Sequence, residues 1–123
     1  MERKKILVIE DDAILSKALH EGLKEIKNID ILLARDGKEG LEKTKEYIPD
    51  VILLDILMPK MNGVEVLEKI RKNESIKDIP VFIISVVENE ESIARCVKLG
   101  IKGYFIKSNY SLESIVETVK EYL

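Results

Sequence analysis

The sequence has a single cysteine, no long hydrophobic run and no excess of positive charge, and each shortage excludes a class of protein. Cys96 alone cannot form an intramolecular disulfide, which is typical of a chain in a reducing cytoplasm. No apolar run approaches the roughly 20 residues of a membrane-spanning helix. The net charge is −3 with both signs interspersed, so the chain lacks an electrostatic footprint for nucleic acid. We therefore expect a cytoplasmic protein with no membrane and no direct nucleic-acid partner.

The length of 123 residues predicts one domain, since domains cluster around ~100–150 residues. No linker, internal repeat or low-complexity segment divides the chain. The last helical pattern runs almost to the final residue. We therefore expect a single domain over residues 1–123, with no output domain, either as a stand-alone protein or as a piece of a longer one.

Short apolar runs alternate with amphipathic helical patterns along the whole chain. Continuously apolar, β-branched runs suit strands buried on both faces, as in a parallel sheet covered by helices. Five alternating strand and helix units with right-handed crossovers predict an open, doubly wound α/β sheet. The strand candidates are 5–9, 51–54 and 81–84, with weaker edge candidates at 29–34 and 104–106; apolar residues recur at helical spacing over 14–26, 66–70, 93–97 and 112–119.

The element boundaries are marked by capping residues. Two capping boxes, in which a cap residue is followed three positions later by glutamate, begin at Asp36 and Asn62. Gly100 follows a helical pattern as a C-terminal stop, and Ser111 can cap the last helix. These signals predict short connections between strands and helices.

Polar residues follow four of the five predicted strands, directly where each strand ends. The carboxyl ends of parallel strands meet at one edge of a sheet, so these side chains are expected to converge there. Carboxylates packed this closely repel one another unless a cation lies among them. Mg²⁺ fits best, because it binds one or two carboxylates together with phosphate oxygens and water. The residues are Glu10, Asp11 and Asp12 after the first strand, Asp55 after the third, Ser85 after the fourth and Lys107 after the fifth.

These residues and their spacing resemble the response-regulator receiver domain of two-component signalling, including its chemotaxis members. The resemblance covers essentially the whole chain, and its most specific part is residues 53–63, Leu-Leu-Asp-Ile-Leu-Met-Pro-Lys-Met-Asn-Gly. It implies a five-stranded parallel sheet of order 2-1-3-4-5 with helices on both faces. For Asp12 alone, an acid in the first turn of the following helix is the simpler interpretation.

The resemblance implies that Asp55 is the phosphoacceptor, whose carboxylate attacks phosphorus to give an acyl phosphate. Asp11, Asp55 and the backbone carbonyl of Leu57 would hold Mg²⁺ or Mn²⁺. Glu10 would act on the metal directly or through a water. Lys107 would help to neutralise charge on the transferring phosphoryl oxygens, a reaction that depends on positioning and electrostatics.

A switch and its partners are also implied by the resemblance. The hydroxyl of Ser85 would bond a phosphoryl oxygen, and Tyr104 would turn inward as Ser85 moves; an ordinary half-buried aromatic is the alternative for Tyr104. The phosphodonor would be a sensor histidine kinase or a histidine phosphotransfer protein. A downstream protein target would bind the face made by the fourth helix, fifth strand and fifth helix, and a phosphorylation-linked homodimer also fits the family.

The sequence departs from the family pattern at four positions. Ser108 follows Lys107 where the family has a cis-proline, and a cis bond before serine costs ~3–4 kcal/mol, which favours trans. Val86 stands where a small residue is usual, so it should crowd the path to the phosphoacceptor. Leu57 and Val87 offer no group that could orient an attacking water. These departures predict a long-lived phosphoryl group.

Three other functions compete with the signalling switch. A phosphatase of the haloacid-dehalogenase type would need a second acid two residues after its nucleophile, where this chain has Leu57. A flavodoxin-like cofactor binder would need a Ser/Thr/Gly-rich phosphate loop after the first strand, and Glu10 and its acidic neighbours would repel a phosphate there. A receiver-shaped interaction module that is never phosphorylated stays open, because of Val86 and Ser108.

Overall fold

The alternation of strands and helices predicted from the sequence is present in a computed structural model of the protein, which describes residues 3–123. One helix follows every strand. The strands are β1 (Lys4–Ile9), β2 (Ile29–Ala34), β3 (Val51–Leu54), β4 (Val81–Ser85) and β5 (Gly103–Ile106). The helices are α1 (Ala13–Leu23), α2 (Gly37–Tyr47), α3 (Gly63–Lys72), α4 (Glu90–Leu99) and α5 (Leu112–Lys120).

The sheet has the predicted order β2-β1-β3-β4-β5, and all four pairings are parallel. In the register of these pairs, Ile9 lies beside Leu54, and Ser85 lies beside Ile106. The last residues of four strands therefore lie along one edge of the sheet. The residues that follow them start from neighbouring positions on that edge.

The central strands are buried on both faces, which explains their unbroken apolar sequences. Successive side chains of a strand point to opposite faces. Leu7 and Ile9 pack in the core cluster under α2 and α3, whereas Ile6 and Val8 pack in the cluster under α1 and α5. Each large aliphatic side chain buried in this way contributes roughly 1.5–3 kcal/mol. The strand ends are thus fixed from both sides.

The predicted helix caps are confirmed. The side chains of Asp36, Asn62 and Ser111 each accept the backbone N–H three residues later, at 2.8, 3.0 and 3.1 Å. Gly100 ends α4 with a φ of 99°, a value that glycine adopts without steric cost. The loops therefore begin and end where their capping residues place them.

The helical pattern predicted over 14–26 was wrong at its end, because α1 stops at Leu23. The Ile26 N–H donates to the Leu23 carbonyl at 3.0 Å, so the chain leaves the helix through a tight turn. Ile26 still packs against the core beneath α1, which explains why its position matched the apolar pattern. Within residues 3–123, the structure has no helix long and apolar enough to cross a membrane.

Helix α4 is the least embedded of the helices. Cys96 is its one fully buried side chain, and Val97, predicted to lie on the apolar face, is 60% exposed. The helix begins at an Asn89 cap whose side chain accepts from Ser92 N at 2.8 Å. Its position therefore depends on its two ends more than on apolar contacts along its length.

The C-terminal end of α4 is held by Arg71, a half-buried residue of α3. Nη1 donates to the carbonyls of Lys77 and Ile79 at 2.8 and 2.9 Å. Nη2 donates to the Gly100 carbonyl at 2.7 Å, and Nε lies 3.2 Å from the Leu99 carbonyl and 3.3 Å from that of Gly100. Burial lowers the pKa of Arg71, although the group stays charged. One guanidinium thus joins the loops that precede β4 and β5.

We expect Arg71→Ala to lower the free energy of unfolding by about 2–3 kcal/mol, because hydrogen bonds from a charged donor to two loops are lost together. Urea denaturation measures this change. Arg71→Lys is the matched control; it keeps the charge but not the planar fork, and should recover only part of the loss. A loss below ~0.5 kcal/mol in Arg71→Ala would show that the loops hold their positions without the guanidinium.

Candidate functional site

Two carboxylates are buried side by side at the strand edge. Glu10 follows β1 and Asp55 follows β3, and these strands are neighbours in the sheet. The Asp55 N–H donates to the Ile9 carbonyl at 3.0 Å, which continues the ladder between the strands. Both side chains are almost fully buried, whereas Asp11 is exposed. Carboxylate oxygens of Glu10, Asp11 and Asp55 lie within 4.8 Å of one another, so the fold brings the predicted acids together.

Lys107 reaches both buried acids from the end of β5. Its Nζ lies 3.1 Å from Glu10 Oε1 and 3.4 Å from Asp55 Oδ2. The Lys107 N–H donates to the Ser85 carbonyl at 2.9 Å, which fixes the start of the loop that carries the lysine. One ammonium therefore faces two buried carboxylates and a third at the surface.

The acid cluster fits a hard divalent cation. Within residues 3–123, Asp55 Oδ1 is buried and has no hydrogen-bond partner. Glu10 Oε1 also lacks a hydrogen bond of good geometry, although it forms the ion pair with Lys107. A buried carboxylate oxygen left unpaired is costly. Because all three acids offer oxygen ligands, the donor set suits Mg²⁺ or Mn²⁺.

The pKa values of Glu10 and Lys107 are both shifted by their burial and by the charges around them. Burial raises the pKa of Glu10 to about 7, and the charge of Asp55 adds to this; the hydrogen bond from the Asp12 N–H and the ion pair with Lys107 oppose it. Burial alone would lower the pKa of Lys107, but its ion pair with Glu10 and the charge of Asp55 outweigh that effect and raise it. The carboxyl group of Glu10 thus holds its proton more tightly than a free carboxyl group does, mainly because it is buried.

Asp12 is a helix cap and not a member of the acid cluster, as the sequence predicted. Its Oδ1 accepts the N–H groups of Ile14 and Leu15 at 3.0 and 3.3 Å.

Ile14 was placed in the apolar pattern of the first helix, yet its side chain is 83% exposed. The spacing of Leu15 from Leu19 and Leu23 marks the buried stripe of α1, and Ile14 lies one residue outside it.

Ser85 and Tyr104 both bind the backbone of Val87. Ser85 Oγ accepts the Val87 N–H at 3.1 Å, and the Tyr104 hydroxyl donates to the Val87 carbonyl at 2.5 Å. Tyr104 packs half-buried against the core cluster beneath α2 and α3. Its hydroxyl is thus bonded to the loop between β4 and α4, and the inward turn of Tyr104 on phosphorylation stays a prediction.

The apolar residues predicted to shield Asp55 separate into two groups. Leu57 and Val86 are 54% and 58% exposed on the loops that follow β3 and β4. Val87 instead packs against the core cluster beneath α2 and α3. The Lys107–Ser108 bond is trans, since residues 3–123 contain no cis peptide bond.

Lys60 is a site neighbour that sequence reasoning missed. Its backbone has a φ of 69°, and its Nζ lies 3.5 Å from Asp36 Oδ2, the cap of α2. The signal in the sequence was Gly37, directly after the cap residue Asp36. A glycine stands there at the first position of a helix, although helix geometry does not require one. Only the folded chain shows that this helix start meets the loop after Asp55.

Comparisons with known proteins agree on one family. Residues 6–120 match the family model described as response regulator receiver domain. The chain is 30% identical over 99% of its length to the probable C4-dicarboxylate response regulator DctR of Bacillus subtilis, and covers 54% of that protein. The chain therefore spans about half the length of this curated relative.

Two solved structures superpose over nearly the whole chain. The Mn(2+)-bound form of response regulator Rcp1 has a TM-score of 0.85 at 30% identity, covering 96% of this chain and 92% of that one. The phosphorylated cyanobacterial phytochrome response regulator RcpA has a TM-score of 0.81 at 33% identity, covering 97% and 90%. Both are similar to this chain in fold and in sequence.

We expect Asp55→Asn to raise the melting temperature of the protein in chelator by about 4 °C, or ~1 kcal/mol, because it removes a buried like charge beside Glu10. The gain should shrink when Mg²⁺ is added, since a cation stabilises the native acidic site by binding it. Differential scanning calorimetry with and without chelator measures both effects.

Glu42→Gln is the control for this experiment, because it removes one negative charge from the exposed surface of α2. It should leave the melting temperature nearly unchanged in both conditions. An Asp55→Asn protein that melts in chelator at or below the wild-type temperature would show that repulsion does not limit the metal-free fold.

Proposed function

This chain belongs to the response regulator receiver family of two-component signalling, and from that membership we propose that Asp55 is its phosphoacceptor. Receiver domains are signalling switches whose general function is to accept a phosphoryl group. The observation that carries the proposal is the environment of the Asp55 carboxylate, which is buried directly after a central strand. Its Oδ2 lies 3.4 Å from Lys107 Nζ, and its Oδ1 has no hydrogen-bond partner among the described residues.

The phosphoryl group comes from the phosphohistidine of a sensor histidine kinase or of a histidine phosphotransfer protein. A carboxylate oxygen of Asp55 forms the new bond to phosphorus as the bond from phosphorus to the imidazole nitrogen breaks, and the imidazole leaves. The Lys107 ammonium, already beside Asp55, stabilises negative charge on the phosphoryl oxygens. The chain acts as a phosphoacceptor, with slow loss of the group by hydrolysis.

The residues that would hold the cation are Glu10, Asp11, Asp55 and the backbone carbonyl of Leu57. Receiver domains bind Mg²⁺ at an acidic pocket, and here the three carboxylates lie within 4.8 Å of one another. A bound Mg²⁺ or Mn²⁺ supplies positive charge to the phosphoryl oxygens. Asp55 Oδ1 supports this assignment, because it is buried and has no hydrogen-bond partner in the part of the chain that the structure describes.

Ser85 and Tyr104 would carry the switch from the site to the surface. The Ser85 oxygen accepts from Val87, so its own hydroxyl hydrogen is left to donate to a phosphoryl oxygen on Asp55. A shift of Ser85 would be passed to the Val87 backbone and to the Tyr104 hydroxyl bonded there. This route connects one new hydrogen bond to the loop before α4.

The output surface of the proposed switch is the face made by α4, β5 and α5. Support comes from α4, which has one fully buried side chain and an exposed Val97, so its position can change at small cost. A downstream protein target would bind this face, and a phosphorylation-linked homodimer could use it. A cytoplasmic location and a single domain over 1–123 belong to the same proposal.

The function is tested by measuring the intact mass after incubation with Mg²⁺ and a phosphorylated histidine phosphotransfer protein, with a small phosphodonor in parallel. We expect one phosphoryl group on the wild-type protein and none on Asp55→Asn or in chelator. Stoichiometric labelling of Asp55→Asn, or a rate unchanged by chelator, would exclude the mechanism. No labelling by any donor would identify an interaction module that is never phosphorylated.

The phosphorylated state should be long-lived, because loss of the group needs a water held in line with the bond from phosphorus to Asp55. The exposed Leu57 side chain offers no hydrogen bond to such a water. We expect Leu57→Asn to shorten the half-life by roughly tenfold, or ~1.4 kcal/mol of barrier. Mass measurements over time after donor removal give the half-life.

Leu57→Met is the control, since it keeps an apolar side chain at the same exposed position. Val87 also offers no group that could orient a water, but it packs against the core, so the effect of Val87→Glu would mix with lost stability. A wild-type half-life of seconds that Leu57→Asn leaves unchanged would assign the lifetime to Lys107 and the cation alone.

A further inference from the structure

The loop between β3 and α3 rests against the beginning of α2. Gly37, the first residue of α2, lies so close to this loop that a Cβ there would overlap the Met61 carbonyl oxygen and come within 2.8 Å of its carbon. Non-bonded atoms do not approach this closely without displacement of one of them. The atoms met are backbone, so a side chain at position 37 would force the loop itself to move.

A second contact joins the same two segments. The Lys60 Nζ lies 3.5 Å from Asp36 Oδ2, while Asp36 Oδ1 caps α2 by accepting the Glu39 N–H at 2.8 Å. Lys60 has a φ of 69°, and the Met61 N–H donates to the Pro59 carbonyl across it at 2.8 Å. A lysine in this left-handed conformation persists only where its surroundings hold it.

The loop is closed at its base by its own backbone. The Gly63 N–H donates to the Ile56 carbonyl at 2.8 Å, and a Cβ on Gly63 would overlap the Asp55 carbonyl oxygen. The segment between these residues therefore leaves Asp55 and returns beside it. Leu57 belongs to this segment, and the two contacts with the start of α2 hold the segment at Lys60 and Met61.

We propose that Gly37 and the ion pair between Asp36 and Lys60 are positioning residues for the cation that phosphoryl transfer needs. They hold the β3–α3 loop so that the Leu57 carbonyl stays in register with the carboxylates of Asp55 and Glu10. The inference rests on the proposed function, because that function gives the Leu57 carbonyl its role. Mg²⁺ demands near-octahedral geometry with ligands at roughly 2.0–2.1 Å, so a small loop displacement weakens binding.

The test measures Mg²⁺ affinity by titration calorimetry on the metal-free wild-type protein and its variants. Gly37→Ala should weaken Mg²⁺ binding by about tenfold or more, and should speed hydrogen exchange of the backbone over 56–62 without metal. Gly40→Ala is the matched control on the same helix, because the three atoms nearest to its Cβ would be side-chain atoms of Ile9, at 2.6–2.9 Å, and not loop backbone. It should lower stability to urea and leave the loop exchange and the affinity within about twofold of wild type.

Lys60→Gly separates positioning from stability. Glycine adopts the left-handed backbone without steric cost, so this variant should unfold no more easily than wild type. If Lys60 acted only through the repulsion between its charge and Mg²⁺, its loss would strengthen Mg²⁺ binding. Weaker binding by about threefold, together with faster exchange over 56–62, is therefore the result that positioning requires.

The outcomes separate this inference from the function on which it rests. If the wild-type protein binds neither Mg²⁺ nor Mn²⁺, the proposed function fails. If wild type binds Mg²⁺ and both Gly37→Ala and Lys60→Gly bind it within about twofold, the positioning role is overturned and the function stands. An equal loss in Gly40→Ala and Gly37→Ala also overturns it, because the effect would then be a general loosening of α2.

Discussion

Repulsion between two buried carboxylates is the constraint on which the rest of the site depends. Parallel pairing of β1 with β3 places Glu10 and Asp55 side by side, and the ammonium of Lys107 lies 3.1 Å from one and 3.4 Å from the other. Burial raises the pKa of Glu10 and the charge of Asp55 adds to that rise, while Asp55 Oδ1 has no hydrogen-bond partner among residues 3–123. A positive charge that binds at this site stabilises the two carboxylates.

The scaffold resists this repulsion by fixing the strands and their loops from several sides. The central strands are packed on both faces, so their ends cannot separate. The loop after Asp55 is held at its base by Gly63 and from outside by Gly37. Arg71 holds the far end of α4, while the near end adjoins the loop where Ser85 and Tyr104 meet the backbone. The tightly packed part of the molecule thus surrounds the acids, whereas α4 is the most lightly packed helix.

The sequence by itself determined the elements and the chemical groups at their ends. Unbroken apolar runs predicted strands covered on both faces, and the caps at Asp36, Asn62 and Ser111 placed the helix starts correctly. Acids and a lysine directly after strands predicted a cluster at one edge, because parallel strands share that edge. These inferences succeeded because periodicity and capping depend on neighbouring residues alone. Parallel strands also bring their carboxyl ends to the same edge of the sheet, so a residue directly after a strand is predicted to lie at that edge.

Only the tertiary structure decided which of the similar residues face the site. Glu10 is buried and Asp11 is exposed although they are adjacent, and Val87 packs half-buried against the core while Val86 is exposed. The contact of Gly37 with the loop after Asp55 joins segments that share no local pattern. Such outcomes depend on side-chain direction and on the distance in space between elements that are far apart in the sequence. The spacing of residues along the chain gives neither of these.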